Sequence, residues 1–153
     1  MKKTRVKKAK LPPTSERIAR TTPKKMNAKI RQHTLEKLDD IGSDEKQINL
    51  RLEKINREWD FERYLLVMAA FANSMSLTVG YFVTHRAFIV TALVGVFLLI
   101  HALHGWAPPL PLLRWLNVRT AREIENERFI LKARKGEFQK VHSSEEFLTK
   151  LEK

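Results

Sequence analysis

Residues 64–84 read YLLVMAAFANSMSLTVGYFVT, and after a His-Arg pair residues 87–106 read AFIVTALVGVFLLIHALHGW. Neither run contains Asp, Glu, Lys or Arg, and Arg86 is the only full charge between Tyr64 and Trp106. Apolar runs of about 20 residues, rising about 1.5 Å per residue, match the roughly 30 Å hydrocarbon core of a bilayer. The pattern predicts two transmembrane helices, over 64–84 and 87–106, turning tightly at 85–86. One continuous helix would be about 65 Å long and would leave an apolar half unburied. Two buried helices of a soluble domain would need more cover than short charged flanks supply.

The rest of the 153-residue chain is polar. The flanks hold 45 of the 46 formal charges. There is no cysteine, which excludes disulfides, thiolate catalysis and cysteine-based metal sites. The net charge of +12 is concentrated at one end: residues 1–29 carry eleven Lys or Arg against one acid, Glu16. No apolar segment follows this start closely, so no secretory leader is expected. Residues 1–22, interrupted by Pro12 and Pro13, read as a disordered basic tail. Its Lys2, Lys3, Arg5, Lys7, Lys8 and Lys10 suit anionic lipid headgroups, at about 1 kcal/mol per cation near the surface. The tail has no aromatic residue on which a base could stack, which argues against nucleic acid as its partner.

Residues 23–63 read as amphipathic cytoplasmic helices. Thr22 and Pro23 suit a helix start, Met26, Ile30, Leu38 and Ile41 share a side, and Gly42 suits a stop. Ser43 is the expected cap of a second helix with Asp44 and Glu45 in its first turn. Its seam, Ile48, Leu52, Ile55 and Trp59, is too short for an independent coiled coil and is expected to pack on neighbouring helices or the membrane surface. This helix is expected to run on into the first span. Residues 107–119, with Pro108, Pro109 and Pro111, read as an interfacial segment too short and too broken to cross. Trp59, Tyr64, Trp106 and Trp115 are the expected interfacial anchors. Residues 120–153 read as cytoplasmic helices: Thr120 and Glu123 form a capping box, Gly136 ends that helix, and Ser143 caps a short terminal one. Lys and Arg crowd the outer flanks of both spans, which predicts cytoplasmic termini in a multi-pass inner-membrane protein.

Small residues recur every four positions in both spans, at Ala72, Ser76 and Gly80 and at Ala87, Thr91 and Gly95. Such stripes allow close helix packing in lipid. A turn at 85–86 would set Ser76 against Gly95 and Gly80 against Thr91. Asn73 could hydrogen-bond across the pair.

Chemistry is harder to find. His101 and His104 lie on adjacent directions of the second span and are weak candidates for a metal, haem or proton-relay site. No carboxylate in the spans completes such a site. There is no phosphate-binding glycine loop and no nucleophile–base set near a span, so neither a cofactor nor catalysis is expected.

Residues 56–138 resemble the YgaP-like inner-membrane transmembrane domain family, a domain of unknown function. The likeness rests on NREWDFER before the first span, the two-helix arrangement, and GWAPPLPLLRWLNVRTAREIENERFILKARKGEF after the second. Gly105, Trp106, Pro108 and Thr120 match the family's motif, while Ala107 stands where the family commonly has Cys. The resemblance implies a small, self-associating integral inner-membrane protein and supplies no reaction. The expected fold is thus an all-α, two-span antiparallel helical hairpin with amphipathic cytoplasmic helices on both flanks. The expected role is an interaction or anchoring module that forms a homo-oligomer or joins a larger membrane complex. The alternatives are a redox or metal accessory subunit using His101 and His104, and a lipid or nucleic-acid tether working through the basic tail.

Overall fold

A computed structural model of the chain describes residue 13 and residues 16–138. The six tail cations from Lys2 to Lys10 and the helix expected after Ser143 lie outside the described residues. Among the described residues every regular element is helical: α1 (Arg17–Thr21), α2 (Lys24–Ile41), α3 (Glu45–Arg57), α4 (Phe61–Phe82), a 3-10 turn (His85–Ala87), α5 (Phe88–His104), α6 (Leu110–Trp115) and α7 (Ala121–Arg134). Two helical stretches, one ending at Phe82 and the other spanning His85–His104, are long and apolar enough to cross a membrane. The chain divides into two units. One comprises Met1–Asn27 and Arg63–Leu116, the other Ala28–Glu62 and Asn117–Lys153.

The second unit is built from most of α2 with α3 and α7. Its core is Leu38, Ile48, Ile55, Ile124 and Leu131, with Ile41 and Leu52 packed against it. The α3 seam therefore meets its own neighbours. Gly42 ends α2 in the left-handed region at φ 57°, a conformation that favours glycine. The Arg134 guanidinium then donates to the Leu38 and Gly42 carbonyls at 2.5 and 3.2 Å, serving acceptors that the helix end leaves without an intrahelical partner. The cap of α3 is Asp44, whose carboxylate accepts from the Lys46 amide at 2.9 Å, one residue beyond the expected Ser43. The reciprocal Thr120–Glu123 box caps α7, and Gly136 follows its end at φ 76°.

The structure departs from the sequence reading at two helix ends. The helix after Gly42 does not run unbroken into the first span; it stops at Arg57, and α4 restarts at Phe61. The Phe61 amide donates to the Arg119 carbonyl at 2.8 Å instead of continuing the α3 ladder, and the Phe61 side chain is fully buried. The end of the tail, expected to be disordered, forms α1. Thr22 closes α1 by donating to the Ile18 carbonyl at 2.8 Å and does not cap α2, where the Pro23 carbonyl accepts from Met26 and Asn27.

In the first unit α4 and α5 meet near the turn that joins them. Ser76 donates to the Ala87 carbonyl, and Thr91 donates to the Ser76 hydroxyl at 3.0 Å. A Cβ on Gly80 would lie 2.5 Å from the Phe88 ring, so the missing side chain is what admits that ring. The register thus differs from the expected one by about a turn: Ser76 faces Ala87 and Thr91, Gly80 faces Phe88, and Gly95 has open space where a Cβ would be. The 3-10 turn and the bulk of Phe88 set this register. Small size alone did not reveal which residue would fill the gap.

Gly80→Val should lower the melting temperature in detergent, with a cost of about 1–3 kcal/mol for forcing the ring aside. Adding Phe88→Ala should recover part of that loss; a double mutant as unstable as the sum of both single changes would argue against this packing.

Candidate functional site

Where α5 ends in the first unit, α1 hydrogen-bonds its last turn and Asn27 links α1 to α6. Gly105 terminates α5 in the left-handed region at φ 79°, and its amide donates to the His101 carbonyl at 2.8 Å. α1 serves this end too: Arg17 Nη1 donates to the Ala102 carbonyl at 3.1 Å, and the Thr21 hydroxyl shares its one hydrogen among the Gly105, Arg17 and Ile18 carbonyls at 3.0–3.1 Å. A guanidinium at a helix C-terminus also meets the negative end of the helix dipole. The fit requires glycine twice over, because a Cβ at 105 would stand 2.5 Å from the Arg17 carbonyl carbon.

Asn27 ties these elements to α6. Its amide nitrogen donates to the Ala19 carbonyl at 2.8 Å, and its oxygen accepts from Arg114 Nη2 at 2.7 Å. Arg114 is among the most buried side chains, beside Leu110 and Leu113 on α6. The opposite side of α6 leaves Leu112, Trp115 and Leu116 exposed, and Trp106 is 40 % exposed just before it. An apolar cavity of about 330 Å³ lies in the same unit, lined by Leu65, Ala69, Ala72, Val94, Phe97 and the Ala107–Pro109 stretch among others. Trp106 packs edge-on against Phe97, their ring centroids 6.4 Å apart.

The expected site residues fall as follows. Trp115, Trp106, Trp59 and Tyr64 are all exposed, as side chains reaching into a surrounding phase must be. His101 is buried and His104 exposed, so the two do not converge. Among the described residues no three His, Cys, Asp or Glu side chains are grouped to hold a metal ion. The buried Asn73 side-chain oxygen has no hydrogen-bond partner among the described residues; the cross-helix bond belongs to Ser76. Arg17, Thr21, Asn27 and Arg114 were missed by sequence reasoning. Their signal, a polar side chain facing a helix end far away in the chain, is not local.

The second unit holds a buried ionic cluster that sequence reasoning also missed. Glu127 accepts from Arg51 at 2.7 and 3.1 Å and from Arg119, and Arg119 clamps Glu58 at 2.6 and 2.7 Å. Burial alone would raise the Glu127 pKa, but the hydrogen bonds from Arg51 and Arg119 prevail and lower it. Burial likewise opposes the charge on Arg119, and its bonds to Glu58 and Glu127 outweigh that and raise its pKa. Lys37 nearby is lowered by burial first and then by the charges of Arg51 and Arg119. Two cations and two anions satisfy one another here. The cluster offers no unspent acid or base, and its work is to fix the α3–α4 junction.

No protein-family model matches the chain, and neither a curated protein nor a solved structure matches it.

Two outcomes follow for these sites. Glu127→Leu should cost about 3–5 kcal/mol, since it removes the carboxylate that Arg51 bonds and leaves the buried Arg119 with Glu58 alone. Because the folded-state pKa of Glu127 is depressed, its contribution is complete above the ordinary value of 4.5 and is lost as pH falls below it. The acid limb of a stability–pH curve should therefore flatten in Glu127→Gln, and an unchanged limb would sink the assignment. Gly105→Ala should release α1, seen as several-fold faster tryptic cleavage after Arg17 and Arg20 with the helix content unchanged.

Proposed function

We propose that the chain is a two-span integral membrane protein whose helices form an antiparallel hairpin, and that it serves as a non-enzymatic interaction or anchoring module. The observation that carries this reading is the exposure of the apolar helices. Only 17 % of the first candidate span and 6 % of the second is buried within the protein. A core helix of a soluble domain is mostly covered, whereas Leu66, Phe71, Leu77, Phe82, Ile89 and Leu99 all face outward. A bilayer is the solvent that removes this cost, and both backbone ladders are internally satisfied as a bilayer demands.

The excess of Lys and Arg outside Arg86 supports an inner-membrane protein with both termini in the cytoplasm and the 85–86 turn on the far side. Self-association, or entry into a larger membrane complex, would use the surfaces the hairpin leaves open. Gly95 is one such place, where a neighbouring backbone could come close.

The reading is tested by topology and extraction. The protein should stay in membranes through an alkaline carbonate wash, and reporters fused to each terminus should both register cytoplasmic while one inserted at residue 85 registers the opposite side. Termini on opposite sides, or release by the wash, would falsify it. Association should show as a larger species on cross-linking in native membranes, and should weaken in Gly95→Leu; a monomer throughout would remove the self-association half of the proposal.

A further inference from the structure

We infer that the inner end of the first unit is a binding surface for the anionic headgroups of the bilayer's own phospholipids, assembled by the docking of α1 onto the end of α5. The inference rests on the two-span reading and adds to it a lipid class and a site.

Three observations converge. Among the described residues 16–27, Arg17, Arg20, Lys24 and Lys25 stand against Glu16 alone, in the same unit as α5 and α6. That charge is not left on a free tether. Arg17 and Thr21 bond the last turn of α5, Ile18 is buried, and Asn27 joins Ala19 to the buried Arg114 of α6. The segment that bears the cations is therefore held where the second span ends, at the depth where headgroups begin. Finally, Trp106, Leu112, Trp115 and Leu116 expose an apolar, aromatic surface in that same unit, the kind that settles at the boundary between headgroups and acyl chains.

The remaining cations are placed to use this anchorage. Arg20, Lys24 and Lys25 are exposed. The ion pair of Arg20 with Glu16, at 3.2 Å with both side chains solvated, is of the weak surface kind and yields readily to a phosphate. Exposed cations held at a charged leaflet attract its headgroups without a folded pocket. Nucleic acid is the poorer match, because residues 1–27 contain no aromatic side chain for stacking.

The experiment uses the full chain reconstituted in phosphatidylcholine vesicles that contain a trace of spin-labelled phosphatidylglycerol or spin-labelled phosphatidylcholine. The protein-restricted fraction of each label is compared. At low salt the anionic label should associate about tenfold more strongly than the zwitterionic one, and the preference should collapse in 1 M NaCl, where the Debye length is about 3 Å. Reversing the exposed charges in Arg20→Glu/Lys24→Glu/Lys25→Glu should cut the preference at least threefold. Removing residues 1–12, which leaves the Arg17 and Thr21 bonds in place, should cut it as well. Arg86→Glu at the turn should leave it unchanged. Equal association of both labels at low salt, with the protein still resistant to carbonate extraction, overturns the lipid inference and leaves the two-span reading standing. Loss of the protein from the vesicles on that wash fells the two-span reading and the inference with it. Competition by a short single-stranded RNA that abolishes the preference at equal ionic strength would reassign the surface to nucleic acid.

Discussion

Leucine, valine, phenylalanine and methionine side chains point outward along most of α4 and α5, and everything else in the structure is arranged around that fact. At about 25 cal/mol per Å² of apolar surface, rows of exposed side chains this long carry a solvation penalty in water larger than the net stability of a small domain. The flanks do not relieve it, since less than a fifth of each candidate span is buried within the protein. The surrounding phase must supply the cover. That requirement explains why polar contacts between the two helices are few and local. Ser76 carries the pair of hydrogen bonds near the turn, and the Phe88 ring occupies the space above Gly80.

The two units handle polarity in opposite ways. In the second, charges are drawn inward and matched: Glu127 lies between Arg51 and Arg119, and Arg119 also holds Glu58. Removing Glu127 takes from Arg51 its partner here and halves what holds Arg119, so the group ties α3 and α7 to the chain at Glu58–Phe61. In the first, the polar bonds gather at one end, where Arg17, Thr21 and Asn27 serve helix-end carbonyls and a buried arginine. The exposed Arg20, Lys24 and Lys25 are left outside that knot.

Much of the helical layout was legible because its signals are local. The two long apolar runs, the stop at Gly42, the Thr120–Glu123 capping box and the Ile48–Ile55 seam are each written within a few residues. What was hidden depends on partners far apart in the chain. Nothing near Phe61 announces that its amide will bond the Arg119 carbonyl and break the helix there. Nothing near Arg17 announces the Ala102 carbonyl, so a short helix was read as part of a tail. The stripe of small residues does not carry the register of Ser76 against Thr91 and Gly80 against Phe88. Size says where a neighbour can approach, and it does not say that the neighbour is a phenylalanine. The spacing of His101 and His104 puts them on adjacent directions of α5, and the structure buries one and exposes the other.

Gly105 has a consequence for the order of events during synthesis. The 85 positions that separate Arg17 from Ala102 mean that the N-terminal segment emerges long before its acceptor exists. At about 5–20 residues per second, the delay is roughly 4–17 s. For that interval α1 has no docking partner, while the ribosome is still delivering the greasy stretches that follow. Only when the second of these is complete can the left-handed turn present its carbonyls and draw α1 back. The seal at the end of α5 is thus a late closure, made by residues that have waited for both apolar helices to be finished.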